Sequence, residues 1–365
     1  MDDAEQRAWL RLTLTEGVGP RAARELLSAF GLPGTIFEAG RAALADVAGA
    51  PLTAKLLAPP PAQAIERALV WLGAGADRSL ITLADPDYPA ALLELADAPP
   101  LLYLRGRREL LARPALAIVG SRSATRQGEA NAEAFAAHLA GCGLTIVSGL
   151  ARGIDAAAHR GALAHEPATI AVLGTGADRV YPASNRALAD RIAQQGLLLT
   201  EYPLGTPPLE HNFPRRNRLI AALARGVLVV EAAVHSGSLI TARLAAELGR
   251  DVMAIPGSIH SPVARGCHRL IREGARLVES AQDVLEELRF GVAQRPAAER
   301  APDHAGGDDD QALLQAIGYD PVDLDTLAQR TGLAPGVLSA RLLELELAQA
   351  IERMAGNCYQ RLRHC

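Results

Sequence analysis

The chain lacks several features that would restrict its location and chemistry. Its apolar runs are short and are interrupted by Gly, Pro or charged residues, so we expect no segment that crosses a membrane. The first residues, MDDAEQRAW, are acidic and contain no apolar core, which predicts a cytoplasmic protein without an export signal. The four cysteines, Cys142, Cys267, Cys358 and Cys365, form no C-x-x-C or Cys/His metal spacing. We therefore expect structural thiols, with no disulfide framework and no metal site.

Lysine is almost absent as well, since Lys55 is the only one and nearly all positive charge comes from arginine. Guanidinium groups suit planar, bidentate contact with phosphate, but coding bias is the favoured explanation for most of them. The net charge of -4 argues against a protein that coats nucleic acid with its whole surface. A site for an anion should therefore be local.

Motifs for nucleotide cofactors are missing. The sequence contains no G-x-x-x-x-G-K-[ST], and Gly120-Ser121-Arg122 stands where a dinucleotide-binding protein would have G-x-G-x-x-G. We expect no cofactor. Five candidate catalytic side chains show no recognised paired spacing, and structural roles are favoured for them: Asp155, His159, Glu201, His211 and Glu231.

The length of 365 residues and the 49% hydrophobic content predict two or three domains. The first, residues 1–84, is predicted to be helical and SAM-like. Apolar residues recur at helical spacing over Ala8–Thr15 and Pro20–Phe30, on either side of a Gly-x-Gly-Pro turn. This turn resembles a helix-hairpin-helix, which can present backbone N–H groups to a DNA phosphate. A purely structural turn between helices is favoured, because no basic cluster lies next to it.

Residues 85–290 form the predicted core, which opens with a Pro-rich stretch from Asp85 to Tyr103. Strand and helix patterns then alternate, and this predicts a doubly wound, largely parallel, extended Rossmann-like sheet of the α/β class. The predicted strands are Ala115–Val119, Leu144–Val147, Thr169–Leu173, Gly196–Thr200, Gly226–Val230, Asp251–Ile255 and Arg276–Val278. The predicted helices are Gly128–Ala140, Gly153–Leu163, Ser184–Gln194, Arg215–Leu223, Ser238–Leu248 and Ala281–Leu288.

Residues 291–310 are predicted to be a linker, because they are rich in Pro, Ala, Gly and charge. Residues 311–365 then predict a winged helix. Its helices are predicted at Gln311–Ile317, Asp323–Thr331 and Ala334–Ala348, and its wing at Ala350–Met354 and Asn357–Arg361. The candidate recognition helix carries one arginine and two glutamates, which favours a protein partner over DNA.

The run from His211 to Ala242 predicts where a ligand binds. Val227–Val230 is a β-branched apolar run typical of a buried parallel strand, and Ser236-Gly237-Ser238 follows at its carboxyl end. Three other predicted strands end in turns with small residues and arginine or hydroxyl groups. Because carboxyl ends of parallel strands share one edge, these turns should form a groove for phosphate. The turn residues are Ser121, Arg122, Ser148, Gly149, Arg152, Gly174, Gly176, Ser236, Gly237 and Ser238.

Phe213 indicates the kind of phosphate ligand. Aromatic residues make up only 4% of the chain, yet this one stands in the segment HNFPRRNR, beside a basic cluster. Bases stack on aromatic rings while arginines hold the backbone, which favours a polynucleotide; a core phenylalanine that anchors a helix is the alternative. The further candidates in this segment are Asn212, Arg215, Arg216, Asn217 and Arg218.

Together these segments resemble the DNA-processing protein A (DprA/Smf) family across about residues 85–290. The resemblance is carried by Gly120-Ser121-Arg122, Ser148-Gly149-Leu150-Ala151-Arg152-Gly153-Ile154-Asp155 with His159, Gly174-Thr175-Gly176 with Tyr181-Pro182 and Asn185, Phe213-Pro214-Arg215-Arg216-Asn217-Arg218, Val229-Val230-Glu231-Ala232 and Ser236-Gly237-Ser238-Leu239-Ile240-Thr241-Ala242.

This resemblance implies a non-enzymatic homodimer that binds and protects incoming single-stranded DNA and helps load the RecA recombinase during natural transformation. It implies that Arg122, Arg152 and Arg218 hold phosphates, that Phe213 contacts a base, and that the small turn residues line the groove. The groove lysines that are frequent in such proteins have no counterpart here, since Lys55 lies outside the core.

Two alternatives belong to other classes. A Rossmann-like nucleotide monophosphate hydrolase of the lysine-decarboxylase-like group would carry P-G-G-x-G-T-x-x-E at a helix start, whereas here Ser236–Thr241 is not followed by that glutamate and position 242 is Ala. A transcription regulator that reads DNA through the winged helix is disfavoured by the acidic recognition helix.

Overall fold

A computed structural model describes residues 2–166, 168–290, 308–348, 350–354 and 358–362. The predicted linker lies almost entirely outside the described residues. The N-terminal region is helical, as predicted, and its elements are α1 (Asp3–Leu14), α2 (Pro20–Phe30), α3 (Pro33–Glu38), α4 (Arg41–Leu56) and α5 (Ala62–Gly73). Asp2 caps α1 by accepting the Glu5 N–H at 2.8 Å.

An antiparallel pair of strands leads from these helices into the core. It consists of β1 (Arg78–Thr82) and β2 (Leu101–Gly106), separated by the short helix α6 (Ala90–Leu93). Neither strand was predicted, because β1 lies in the region expected to be helical and β2 begins within the Pro-rich stretch. The domain boundaries remain predictions. Strand β1 lies on the N-terminal side of the predicted boundary at residue 84.

The remaining core alternates as predicted. Its elements are β3 (Ala115–Val119), α7 (Arg126–Gly141), β4 (Thr145–Ser148), α8 (Ile154–Ala162), β5 (Thr169–Val172), α9 (Arg186–Gln195), β6 (Leu197–Thr200), α10 (Asn212–Leu223), β7 (Gly226–Val229), α11 (Ser238–Glu247), β8 (Asp251–Ala254), α12 (Arg265–Arg272), β9 (Arg276–Leu277) and α13 (Ala281–Glu287). Helix α12 is the one element here that was not predicted.

The sheet has nine strands in the order β1-β2-β6-β5-β4-β3-β7-β8-β9, and it is parallel from β6 to β9. Helices cover both faces: α10, α11 and α12 pack on one, and α7, α8 and α13 on the other. The predicted doubly wound, largely parallel fold is confirmed. The chain crosses from β6 to β7 through α10, so the strand order reverses between β3 and β7, where open α/β sheets bind ligands.

The C-terminal region is a winged helix, as predicted. It contains α14 (Asp308–Ile317), β10 (Val322–Asp323), α15 (Leu324–Thr331), α16 (Pro335–Leu347), β11 (Ile351–Met354) and β12 (Cys358–Arg361). The hairpin β11–β12 forms the wing, and β10 was not predicted. No helix in the described parts of the chain is long and apolar enough to cross a membrane.

Helices α7 and α8 approach closely at Gly161. A Cβ at this position would overlap the carbonyl oxygen of Glu133, which is backbone and cannot turn aside. We predict that Gly161→Ala lowers the free energy of unfolding by ~1–3 kcal/mol, as overpacking typically does. Urea denaturation measures this. Gly141→Ala is the control, because its nearest neighbour would be the His165 ring at 3.7 Å. If the two variants were equally stable, the close approach of α7 and α8 at Gly161 would be contradicted.

His159 is fully buried beneath β5 and is held in one neutral form. The Thr169 hydroxyl donates to the Ile146 carbonyl oxygen at 2.6 Å, so it must accept from Nδ1 of His159 at 2.7 Å. Nε2 has no hydrogen-bond partner among the described residues. Burial, together with the nearby Arg216 charge, lowers the pKa of His159 to about 3.

Acid should therefore destabilise the fold through His159. Below pH 6.5 the unfolded chain gains a proton on this histidine and the native protein does not, so stability falls by ~1.4 kcal/mol per pH unit until the pH approaches 3. We predict a loss of ~2 kcal/mol between pH 6.5 and 5 from this group alone. His159→Gln should remove that part of the slope, while His138→Gln, on the exposed face of α7, should keep it. Parallel urea-midpoint curves for wild type and His159→Gln would refute this assignment.

Candidate nucleic-acid interface

The turns after β3 and β4 meet at the carboxyl edge of the sheet. Gly120 has no room for a side chain, because a Cβ would lie 2.6 Å from Ile154 and 2.8 Å from the Glu231 carbonyl oxygen. Gly153 has a φ of +71°, and a Cβ there would overlap the carbonyl oxygen of Ser121. That oxygen accepts the Ile154 N–H at 3.2 Å. Glycine thus lets the two predicted turns touch.

In the turn after β4, two backbone N–H groups are hydrogen-bonded within the protein. Asp155, in the first turn of α8, accepts the N–H of Gly149 at 3.1 Å and that of Ala151 at 3.3 Å. Burial raises the pKa of Asp155, and these N–H groups oppose that rise. The Asp155 carboxylate therefore accepts from these two N–H groups, which the predicted groove would have offered to a phosphate. Arg152 is exposed on the same turn, so its side chain is what this turn offers to a phosphate.

Phe213 lies directly on the turn after β5. A Cβ on Gly174 would meet the Phe213 ring at 2.8 Å, so the missing side chain makes the seat for the ring. The Tyr181 ring lies 5.5 Å away, tilted by 42°, and the Arg122 guanidinium stands 5.5 Å from the Phe213 ring centroid. Gly176 is buried in the same turn. The arrangement places two aromatic rings and one cation together at the sheet edge.

Arg216 is buried and does not reach the groove surface. Its Nη1 donates to the Gly149 carbonyl oxygen at 2.7 Å and also contacts the Val172 carbonyl oxygen, and only 3% of the residue is exposed. Burial lowers its pKa to about 10, which leaves it charged at neutral pH, opposite Asp155. Arg216 thus ties α10 to the ends of β4 and β5.

Arg218 is also placed differently from the prediction. It is 7% exposed, and its guanidinium donates to both carboxylate oxygens of Glu201 at 2.8 and 3.0 Å and to Asp97 at 2.8 Å. A further bond runs from Nη2 to the Asp97 carbonyl oxygen at 3.1 Å, so four of the five guanidinium N–H donors are used. This engagement favours a structural role for Arg218 over the phosphate role expected from the resemblance.

Ser148 and Asn212 support the groove from beneath. The Ser148 hydroxyl is fully buried and donates to the Ile118 carbonyl oxygen of β3 at 2.7 Å. Asn212 is 3% exposed, and its side-chain amide donates to the Gly174 carbonyl oxygen at 3.1 Å. Both residues fix the backbone on which the exposed side chains stand, and neither side chain faces a ligand.

The turn after β7 is joined to α10 by Asn217. Its amide donates to the Gly237 carbonyl oxygen at 3.3 Å. Within the turn the Ser236 and Ser238 hydroxyls lie 2.7 Å apart, and Ser236 Oγ accepts the Ser238 N–H at 3.3 Å. Gly237 is exposed and Ser238 is buried. Of the three predicted groove residues at this strand end, Gly237 is therefore exposed and Ser236 is partly exposed.

Glu231 caps the helix that follows β3. Its carboxylate accepts the Thr125 N–H at 3.0 Å and the Thr125 hydroxyl at 2.7 Å. Burial raises the pKa of Glu231, and the two Thr125 bonds oppose that rise. Glu231 therefore has the structural role favoured from the sequence, as do Glu201 with Arg218 and the buried His159. His211 is exposed where α10 begins.

Three of the predicted site arginines are exposed and carry free positive charge. Arg122, Arg152 and Arg215 have no carboxylate within ion-pair distance in the part of the chain that the structure describes. Tyr181, with 47% of its surface exposed, was noted only within the resemblance and not as a site residue. The scarcity of aromatic residues, which drew attention to Phe213, could have identified Tyr181 as well.

Two family models match the chain. The model described as "DNA recombination-mediator protein A" covers residues 79–289, and the one described as "DprA winged helix domain" covers residues 294–357. The first alone accounts for more than half of the chain and contains the whole groove.

Relatives and solved structures agree with these models. "Protein Smf" of Escherichia coli is 43% identical over 83% of this chain and 82% of the relative, and "Protein Smf" of Synechocystis is 36% identical over 99% and 100%. The crystal structure of DprA from Streptococcus pneumoniae matches with a TM-score of 0.69 and 40% identity, over 77% of this chain and 97% of that one. A Helicobacter pylori DprA structure, whose subject is a single-stranded DNA binding mode, matches with a TM-score of 0.53 and 33% identity over 58% and 96%. This chain belongs to the DprA/Smf family of DNA-processing proteins.

Proposed function

We propose that this protein binds single-stranded DNA in the groove at the carboxyl edge of its parallel sheet. The observation that carries the proposal is the Phe213 ring, seated on Gly174 with Tyr181 beside it and Arg122 at 5.5 Å. Rings stack on unpaired bases whatever their sequence, and exposed arginines hold the backbone. The phosphate contacts are assigned to Arg122 and Arg152.

The binding is proposed to involve no chemistry on the DNA. Four of the five candidate catalytic groups are engaged in the fold: Asp155 with backbone N–H groups, Glu201 with Arg218, Glu231 with Thr125 and His159 with Thr169. The fifth, His211, is exposed. A catalytic acid or base must reach the reacting atoms of a bound substrate. The engagement of the four groups supports a binding protein rather than a hydrolase.

The bound strand would then be handed to a recombinase. We infer that the protein protects incoming DNA in the cytoplasm and helps load RecA during natural transformation, in keeping with its membership of a recombination-mediator family. We further infer a homodimer. The edge strand β9 leaves its outer side unpaired in the described sheet, and Leu277 on it is 43% exposed, which suits pairing with a second copy.

Oligonucleotide titration across a salt series tests the groove. We predict that Arg122→Gln lowers the slope of log K against log salt by ~0.7, because one phosphate contact is lost. Phe213→Leu, which keeps the apolar bulk on Gly174, should weaken binding by ~1–3 kcal/mol without changing that slope, whereas Phe213→Tyr should bind nearly as wild type.

The size of the ligand separates this proposal from the hydrolase alternative. Wild type should bind oligonucleotides far more tightly than a mononucleotide, since each added nucleotide brings a further phosphate. Tight binding of mononucleotides, with no gain for longer strands, would replace the proposal by a nucleotide-processing enzyme.

Arg218 should affect stability rather than DNA binding. We predict that Arg218→Met costs ~3–5 kcal/mol of unfolding free energy, because it leaves the carboxylate of Glu201 buried and unpaired, and that Arg218→Met with Glu201→Gln recovers much of this loss. Arg122→Gln should stay within ~0.5 kcal/mol of wild type, as exposed substitutions usually do. A stable Arg218→Met protein with a reduced salt slope would restore the phosphate role to Arg218.

A further inference from the structure

A chain of shallow depressions runs along the boundary between α2 and the core, and we call it the α2 seam. Its three depressions have volumes of about 200, 410 and 650 Å³. The first two share Gly19, Pro20 and Arg215 in their lining, and the second and third share Arg21 and Ala96. The seam is therefore continuous from α10 to the middle of α2.

The α2 seam carries unpaired positive charge. Arg21, Arg24 and Arg215 are all exposed, and none has a carboxylate within ion-pair distance among the described residues. The acids nearest to Arg215, Asp97 and Glu201, are both bound by Arg218. Exposed Glu25 lines the outermost depression and is the one acidic group of the seam without such a partner in the described structure. With Arg218 included, four guanidiniums stand against three carboxylates, Asp97, Glu201 and Glu25, which leaves the seam a net charge of +1.

The seam begins on α10, the helix that also carries Phe213. Arg215 lies two residues after Phe213 on α10, and it lines the first depression together with Tyr202. The Tyr202 hydroxyl donates to the Asn212 carbonyl oxygen at 3.1 Å, so this side of the depression is fixed to the start of α10, where the Phe213 ring lies.

On α2, Arg21 and Arg24 are three residues apart and so share a face. No side chain caps the first turn of α2, which begins at Pro20 beside the seam.

We propose that the α2 seam continues the DNA path: a strand stacked on Phe213 leaves the groove past Arg215 and is held by its phosphates at Arg21 and Arg24. The helical N-terminal region is thereby part of the binding surface, although the seam offers charge and no aromatic ring. The contacts there are ionic and indifferent to base sequence. This inference rests on the proposed function of the groove.

Binding of oligothymidylates of increasing length by the full chain tests the proposal. Short oligomers that fill only the groove should bind wild type and Arg21→Ala/Arg24→Ala equally. Beyond that length wild type should continue to gain affinity, while the double variant should level off, on the order of tenfold weaker for the longest strands. Its salt slope for long strands should fall by ~1.4, because two phosphate contacts to a single strand are lost.

Arg41→Ala is the matched control, because Arg41 is an exposed arginine of the same helical region that does not line the seam. It should follow the wild-type length curve. Equal affinity of wild type and the double variant at every length would overturn the seam proposal while leaving the groove intact. An equal loss in Arg41→Ala would overturn it as well, by showing a general charge effect. Failure of wild type to bind any oligomer would instead refute the groove itself.

Discussion

The buried guanidinium of Arg216 is the contact on which the rest of the groove depends. It bonds carbonyl oxygens at the ends of β4 and β5 from within α10, and it lies opposite Asp155, which in turn holds the N–H groups of the β4 turn. A single cation thus fixes the relation of two strand ends to the helix that carries Phe213. Removing a charge from water is costly, and here that cost is offset by two backbone carbonyl oxygens and one nearby carboxylate.

The three arginines of α10 differ in burial because of helix geometry. In the segment PRRNR the side chains at 215, 216 and 218 leave α10 in different directions, so Arg215 reaches solvent while Arg216 and Arg218 turn inward. The sequence shows a basic cluster, but it does not show which faces are covered. That depends on β4, β5, Glu201 and Asp97, which are distant in sequence. For this reason the sequence did not indicate the ion pairs of Arg218, which favour a structural role for it, or the buried role of Arg216.

The fold itself was largely predictable. Apolar runs such as Val227–Val230 alternate with helical periods, and parallel topology brings their carboxyl ends together. The strands that escaped prediction, β1, β2 and β10, are short or flanked by prolines, and they owe their extended form to pairing with partners elsewhere in the chain. The turn glycines were ambiguous in the sequence, and in the structure Gly120, Gly153 and Gly174 permit close packing of neighbouring segments.

The seat of Phe213 on Gly174 has a consequence for selectivity. If a strand stacks on Phe213 as proposed, the groove meets a base with the face of a ring, and a ring face offers no pattern of donors and acceptors that would match one base and reject another. Such a surface does not distinguish one base sequence from another. Under this proposal, the choice of strand rests on the processes that expose single-stranded DNA and on the order in which proteins reach it.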